Sequence, residues 1–221
     1  MGNMGLGSGF ISDAGASFKM VCLHLLEMAY CDVRTTCFID KDWTENAISE
    51  ALKKSINDNE EAIWMHITAE VEVRQLPEDL WLMPSKVDDA PRIDIKVGGF
   101  DLGDVPSRLC YYMEAKNLYA GDFRKTGHTS VFSSTHYAKR YISTGIDHLL
   151  KGYYSDNTIL LGYVLVGTIQ SAVDKVNQNI VKDFRNAETI NLKVVAEYPA
   201  LVFGASIHPN GMELEHCFLQ F

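Results

Sequence analysis

Asp94, Glu114 and Lys116 are the residues of this chain whose types and spacing bear most directly on chemistry. Asp94 lies in the alternating segment RIDIKV (92–97), and Glu114 and Lys116 lie in YYMEAKNL (111–118). Side chains two apart on a strand share a face, so Glu114 and Lys116 point the same way, together with Tyr112. If the two segments pair, Asp94 faces Glu114. Two neighbouring carboxylates, with a backbone carbonyl close by, suit a hard cation such as Mg2+, which retains waters and accepts a phosphate oxygen. Such a cation acidifies a bound water and stabilises charge building on phosphorus. Lys116 could orient the attacking water, lower its pKa or neutralise the transition state, and the residue types leave these roles open.

The short pattern acid-x-Lys carries no weight by count. With 29 acidic residues and 13 lysines in 221, about 1.7 occurrences are expected by chance. Two are present, Asp94-Ile-Lys96 and Glu114-Ala-Lys116. Their placement in strand-like segments is what gives them meaning. A shifted arrangement, with Asp94 and Lys96 as the second half and Glu70 or Glu72 as the first acid, ranks lower. It leaves Glu114 and Lys116 without a role and removes one strand.

The elements that must position these residues are legible from periodicity. Phe18 to Tyr30 has helical apolar spacing, and DVRTTCFI (32–39) reads as a short strand or an irregular connection. Thr44 is an N-cap candidate for a helix to about Asn57, with Ala47, Ile48, Ala51, Leu52 and Ile56 on one stripe. Odd positions from Ile63 to Val73 are apolar, which predicts a half-buried strand. RIDIKV follows as a second strand, GGFDLGDVPS as a long turn, and Leu109 to Leu118 as a third strand. The pattern then predicts a helix over 134–151, a strand over 158–167, a helix from about Ile169 to Phe184, and strands near 190–198 and 214–220.

Length and 47% hydrophobic residues allow one domain with a full core. The Gly- and Ser-rich stretch 1–18 is expected to be mobile, leaving 19–221 as a single domain with its core at about 44–167. The longest apolar run, Thr158 to Ile169, is too short to span a bilayer, and no basic leader precedes an apolar segment. Five cysteines without C-x-x-C spacing argue against a disulfide framework or zinc ribbon and favour a cytoplasmic setting. Histidines 24 and 66 read as packing residues, and the other histidines mark no site.

The net charge of -9 opposes phosphate binding, because such contacts need Lys and Arg. The distribution restores it: residues 40–89 hold 13 acidic and 5 basic residues, whereas 108–151 hold 7 basic and 3 acidic. Arg124 and Lys125 precede the helix that carries His136, Lys139 and Arg140 one turn apart. As phosphate clamps these five would position a nucleic acid without reading its bases.

With Asp94, Glu114-Ala115-Lys116 and this order of elements in place, the chain resembles the PD-(D/E)xK nuclease superfamily over about Thr44 to Gly167. The residues before Asp94 read Pro-Arg-Ile, where the family pattern has an adjacent proline. The resemblance implies an α/β restriction-endonuclease-like three-layer core: a central mixed β-sheet flanked by helices, in the order helix, three strands, helix, strand. It implies catalysis by Asp94, Glu114 and Lys116, with Mg2+ (or Mn2+) held by Asp94, Glu114 and the Ala115 carbonyl. Many members add a glutamate from the first helix. Glu45, beside the apolar stripe, suits this better than Glu50, about 140° further round. Its alternative role is charge compensation at the helix N-terminus.

By the same resemblance the protein is a DNA endonuclease of restriction or phage-defence type. It is expected to act as a homodimer through residues 186–221, with a defence-system protein as a further possible partner. The competing readings are a non-catalytic protein-binding module on the same fold, favoured by the acidic charge, and an RNA-directed nuclease of the same superfamily.

Overall fold

A computed structural model describes residues 8–74, 92–99, 109–154 and 157–221. Seven strands form one mixed sheet: β1 (Thr68–Arg74), β2 (Arg92–Gly99), β3 (Leu109–Tyr119), β4 (Thr158–Val166), β5 (Asn191–Lys193), β6 (Val202–Ile207) and β7 (Glu213–Gln220). Their order across the sheet is β1-β2-β3-β4-β7-β6-β5. β3, β4 and β7 run parallel, and the other neighbours pair antiparallel. Parallel central strands need cover on both faces, and their apolar runs show it. β4 is buried almost throughout.

One face is covered by α1 (Ser8–Thr36) and α2 (Glu45–Asp58), which pack with Ile95, Met113, Ala115 and Leu161. The other carries α4 (Ser134–Arg140), a π-segment (Tyr141–Ile146), α5 (Asp147–Leu150) and α6 (Ile169–Lys182), against Leu118, Leu160, Val164 and Phe218. The helix expected over 134–151 is therefore present but widens in its middle to the π form. Gly162 lets these layers close, since a Cβ there would lie 2.5 Å from Phe218 and 2.9 Å from Leu118.

Helix α1 begins at Ser8, within the stretch expected to be mobile, and runs through the residues read as a strand or connection. Phe18, Cys22, Leu25, Leu26, Ala29, Tyr30 and Val33 continue one buried stripe. Thr35 and Thr36 donate back to the Asp32 carbonyl at 2.8 and 2.9 Å, satisfying an otherwise open end.

The strand expected from Ile63 starts only at Thr68. Asn59 accepts from the Glu61 and Ala62 amides at 2.9 and 3.1 Å and so caps a short helix, α3 (Glu60–Trp64), which leaves Ile63 exposed. Thr44 caps α2 as expected, accepting from Ala47 N at 3.2 Å. Thr44→Ala should lower stability by about 1 kcal/mol in denaturant unfolding.

The C-terminal region differs from expectation by one strand. The strand expected at 190–198 shrinks to β5, and β6 appears where no strand was read. Residues 186–221 are not an appendage, because β7 pairs with β4 and Cys217, Phe218 and Leu219 are fully buried. That burial leaves the homodimer expectation without support from β7. The long turn read after β2 falls largely on 100–108, outside the described residues. Among the described residues no helix is long and apolar enough to cross a membrane.

Candidate functional site

The site lies where β2 and β3 part. Their ladder ends at Ile95 paired with Met113, and one further step puts Asp94 opposite Glu114. There the Asp94 Oδ2 takes over from the backbone, accepting from Ala115 N at 2.7 Å. On the other side of β2, Glu72 of β1 has a φ of 53°, a conformation costly for a side chain bearing Cβ. Val71 and Ile95 pack on the α1–α2 side, whereas Val73 and Ile93 pack on the opposite one. The strand pair thus switches faces at Glu72 and Asp94.

Glu114 and Lys116 share a face of β3, as alternation requires, and both are buried. The Lys116 ammonium donates to Glu114 Oε1 and, at 2.8 Å, to the Ala115 carbonyl, and stands 3.7 Å from Asp94 Oδ2. Burial, then the Asp94 charge, pushes the Glu114 carboxyl up to about 8. Asp94 is raised by burial as well, against the pull of Lys116. Burial would lower the Lys116 ammonium, but Glu114, Asp94 and Glu45 outweigh it and hold it raised. Glu114 Oε2 is buried without a hydrogen bond of ordinary geometry, although the Tyr154 hydroxyl approaches this carboxyl.

Lys96 does not join this group. Its ammonium pairs with the exposed Glu70 at 3.5 Å.

Glu45 lies beside the site but spends both oxygens elsewhere. Oε1 accepts from Asn117 N at 3.0 Å and Oε2 from Arg140 at 3.3 Å. Asn117 in turn donates to the Trp43 carbonyl at 2.9 Å, fastening β3 to the start of α2. Among the described residues no set of three or more His, Cys, Asp or Glu is arranged to hold a metal ion. The donors that are gathered are hard oxygens: Asp94, Glu114 with its orphaned Oε2, and the Ala115 carbonyl. Mg2+ is commonly held by one or two carboxylates, with waters and substrate oxygens completing its shell, so this set fits it. A cleft of about 340 Å³, lined by Asn46, Ser49, Glu50, Val71, Glu72 and Asp94, gives access from one side.

Of the five basic residues read as phosphate clamps, Arg140 is tied to the site, through Glu45. Arg124, His136 and Lys139 are exposed. Lys125 lies over the Phe132 ring at 5.6 Å, and Asp42 holds the same loop by accepting from Thr126 N at 3.0 and 3.1 Å. Tyr137 is half-buried and packs against Tyr119 and Phe123, and Tyr141 is fully buried and presents no stacking surface.

Sequence reasoning missed Tyr154 and a buried group of Glu188, Ser206, His208 and His216. Single histidines in or beside short strands carry no local signal, and the pairing of β6 with β7 is what sets His216 beside Ser206. Comparison with protein-family models, curated proteins and solved structures gives no match.

Proposed function

We propose that this protein is a metal-dependent nuclease of restriction-endonuclease-like fold that hydrolyses DNA phosphodiester bonds. The observation that carries this reading is the Lys116 ammonium lying between Glu114, the Ala115 carbonyl and Asp94 at the point where two strands part. A buried pair of carboxylates costs stability, and a single lysine offsets it only in part. Such an arrangement is suited to a site that receives a second cation. The order α2, β1, β2, β3, α4, β4, interrupted by the short α3, supports the same reading.

Asp94 and Glu114 would hold Mg2+ with the Ala115 carbonyl. The ion, when bound, supplies charge stabilisation at phosphorus and a more acidic water. Lys116 acts from the same face of β3. Its flexible stem lets it leave the carboxylates and aim its ammonium at the attacking water or a non-bridging oxygen. Glu45 is assigned to positioning, because it fixes Asn117 and Arg140 relative to β3. Arg140, the half-buried Lys125 and the exposed Arg124, His136 and Lys139 supply phosphate contacts. Arg140→Ala should weaken DNA binding and lower the slope of log affinity against log salt by about 1; an unchanged slope would remove this helix from the interface.

The reading is tested by incubating the purified protein with plasmid, linear DNA and RNA, each with Mg2+ and with EDTA. Cleavage of DNA that EDTA abolishes is expected. Cleavage of RNA alone would move the substrate class, and cleavage of neither would assign the acidic cleft to a protein partner.

A further inference from the structure

A buried run of hydrogen bonds crosses the far half of the sheet. The Tyr141 hydroxyl lies 2.9 Å from His216 Nδ1, and His216 Nε2 lies 2.9 Å from Ser206 Oγ. The same Oγ is 2.9 Å from His208 Nε2, and His208 Nδ1 is 2.5 Å from Glu188 Oε2. Tyr141, Ser206 and His216 are fully buried, and His208 and Glu188 nearly so. Serine, histidine and carboxylate in sequence have the makeup of a nucleophilic triad. Ser206 has no exposed surface and a second imidazole on its other side, so a substrate cannot reach it.

With one proton on each imidazole, the donors and acceptors can be assigned in one direction only. Arg185 donates to both Glu188 oxygens, at 3.0 and 2.7 Å, and holds the carboxyl ionised below its ordinary range, against the effect of burial. Glu188 therefore accepts, and His208 carries a proton on Nδ1. With His208 neutral, its Nε2 accepts from Ser206. Ser206 then accepts from His216 Nε2–H, and His216 Nδ1 accepts from Tyr141.

Each hydrogen is used once in that arrangement. A proton added to His216 turns its Nδ1 into a donor. The Tyr141 hydrogen is then left without an acceptor among the described residues, and burial makes that costly. Burial, with His208 beside it, pushes His216 down to about 3, in keeping with a neutral ring. The other ionisable groups facing the chain are Arg185 and Asp147 at the Glu188 end and Cys217 near Tyr141.

The run ends at the helix that covers the candidate site. Glu114, Leu160 and His216 form one row across β3, β4 and β7. Tyr141 opens the π-segment over His216, and Gly145 sits over Leu160, where a Cβ would come within 3.0 Å of Cδ1. The widened helical turn is thus seated on the row that begins at Glu114.

We propose that Tyr141, His216, Ser206, His208 and Glu188 form a one-directional hydrogen-bond relay that locks the π-segment onto the sheet beside Glu114 and releases it when His216 gains a proton. The proposal is independent of the chemistry assigned to Asp94, Glu114 and Lys116. Nitrogen-15 NMR of the imidazoles at pH 7 is expected to show His216 as a neutral ring protonated on Nε2. An imidazolium at His216, or His216 protonated on Nδ1, would overturn the relay.

Ser206→Ala breaks the chain at its centre. Amide exchange over 141–146 should then accelerate roughly tenfold relative to β3 and β4; an unchanged rate would overturn the lock. Should that variant not fold, Tyr141→Phe is read in the same way.

Discussion

Replacing Lys116 with methionine is expected to reduce DNA cleavage by a factor on the order of 10³ and, at the same time, to tighten Mg2+ binding. The two effects have one cause. The ammonium is bonded to Glu114 Oε1 and the Ala115 carbonyl and lies 3.7 Å from Asp94, so it stands among the donors assigned to the cation. A unit charge about 4 Å away is worth about 4 kcal/mol at the effective dielectric of a partly screened site. Desolvation and the rotation of Lys116 away from the carboxylates offset much of that. A gain of about tenfold in Mg2+ affinity is therefore the expected size. Methionine keeps a similar length and apolar stem, and removes the charge. Calorimetric titration of both proteins with Mg2+ measures this without reference to activity. Equal affinities would show that the ammonium does not occupy the cation's place.

The second large effect is on stability in acid, and it is expected to be hidden in the wild type. His216 titrates near 6.5 when unfolded but only at about 3 when folded, because it is buried beside His208. Between those values the unfolded chain binds the proton and the folded one does not. The stability this ring contributes is complete above about 6.5 and is lost as pH falls towards 3, on the order of 5 kcal/mol in all.

Glu114 acts in the opposite sense. Its carboxyl is pushed up to about 8 in the fold by burial and by Asp94. The folded state therefore holds a proton that the unfolded state has released, and stability falls as pH rises from about 4.5 to 8. Between about pH 4.5 and 6.5 the two slopes cancel. Glu114→Gln removes one of them. Urea unfolding of that variant is expected to show stability dropping by about 1.4 kcal/mol per pH unit from about 6.5 to 4.5, with a flatter wild type. Parallel curves for the two proteins would contradict the Glu114 assignment, and a variant curve flat over that range would contradict the one for His216.

The parts of the site legible in the sequence are those governed by alternation. The common face of Glu114 and Lys116 follows from spacing along one strand, and the facing of Asp94 and Glu114 follows once β2 and β3 pair. Thr44 was readable because a cap is a local bond. What escaped depends on contacts distant in the chain. The face switch at Glu72 and Asp94 has no compositional mark, since neither is a glycine. The capping of α3 by Asn59 overrode an alternation that began at Ile63. The π-segment follows from where Gly145 and Tyr141 land on the sheet, and β6 from its pairing with β7. Helical geometry puts Glu45 beside the apolar stripe of α2, but its bonds to Asn117 N and Arg140 belong to the folded chain alone.

The proposed catalytic group is tested most directly by comparing Mg2+-dependent plasmid cleavage by the wild type with that of Asp94→Ala, Lys96→Ala and Lys116→Ala, each first shown to be folded by circular dichroism. Loss of cleavage in the Asp94 and Lys116 variants, with Lys96→Ala close to wild type, is the expected result. Full cleavage by Lys116→Ala, or by Asp94→Ala, would contradict the assignment.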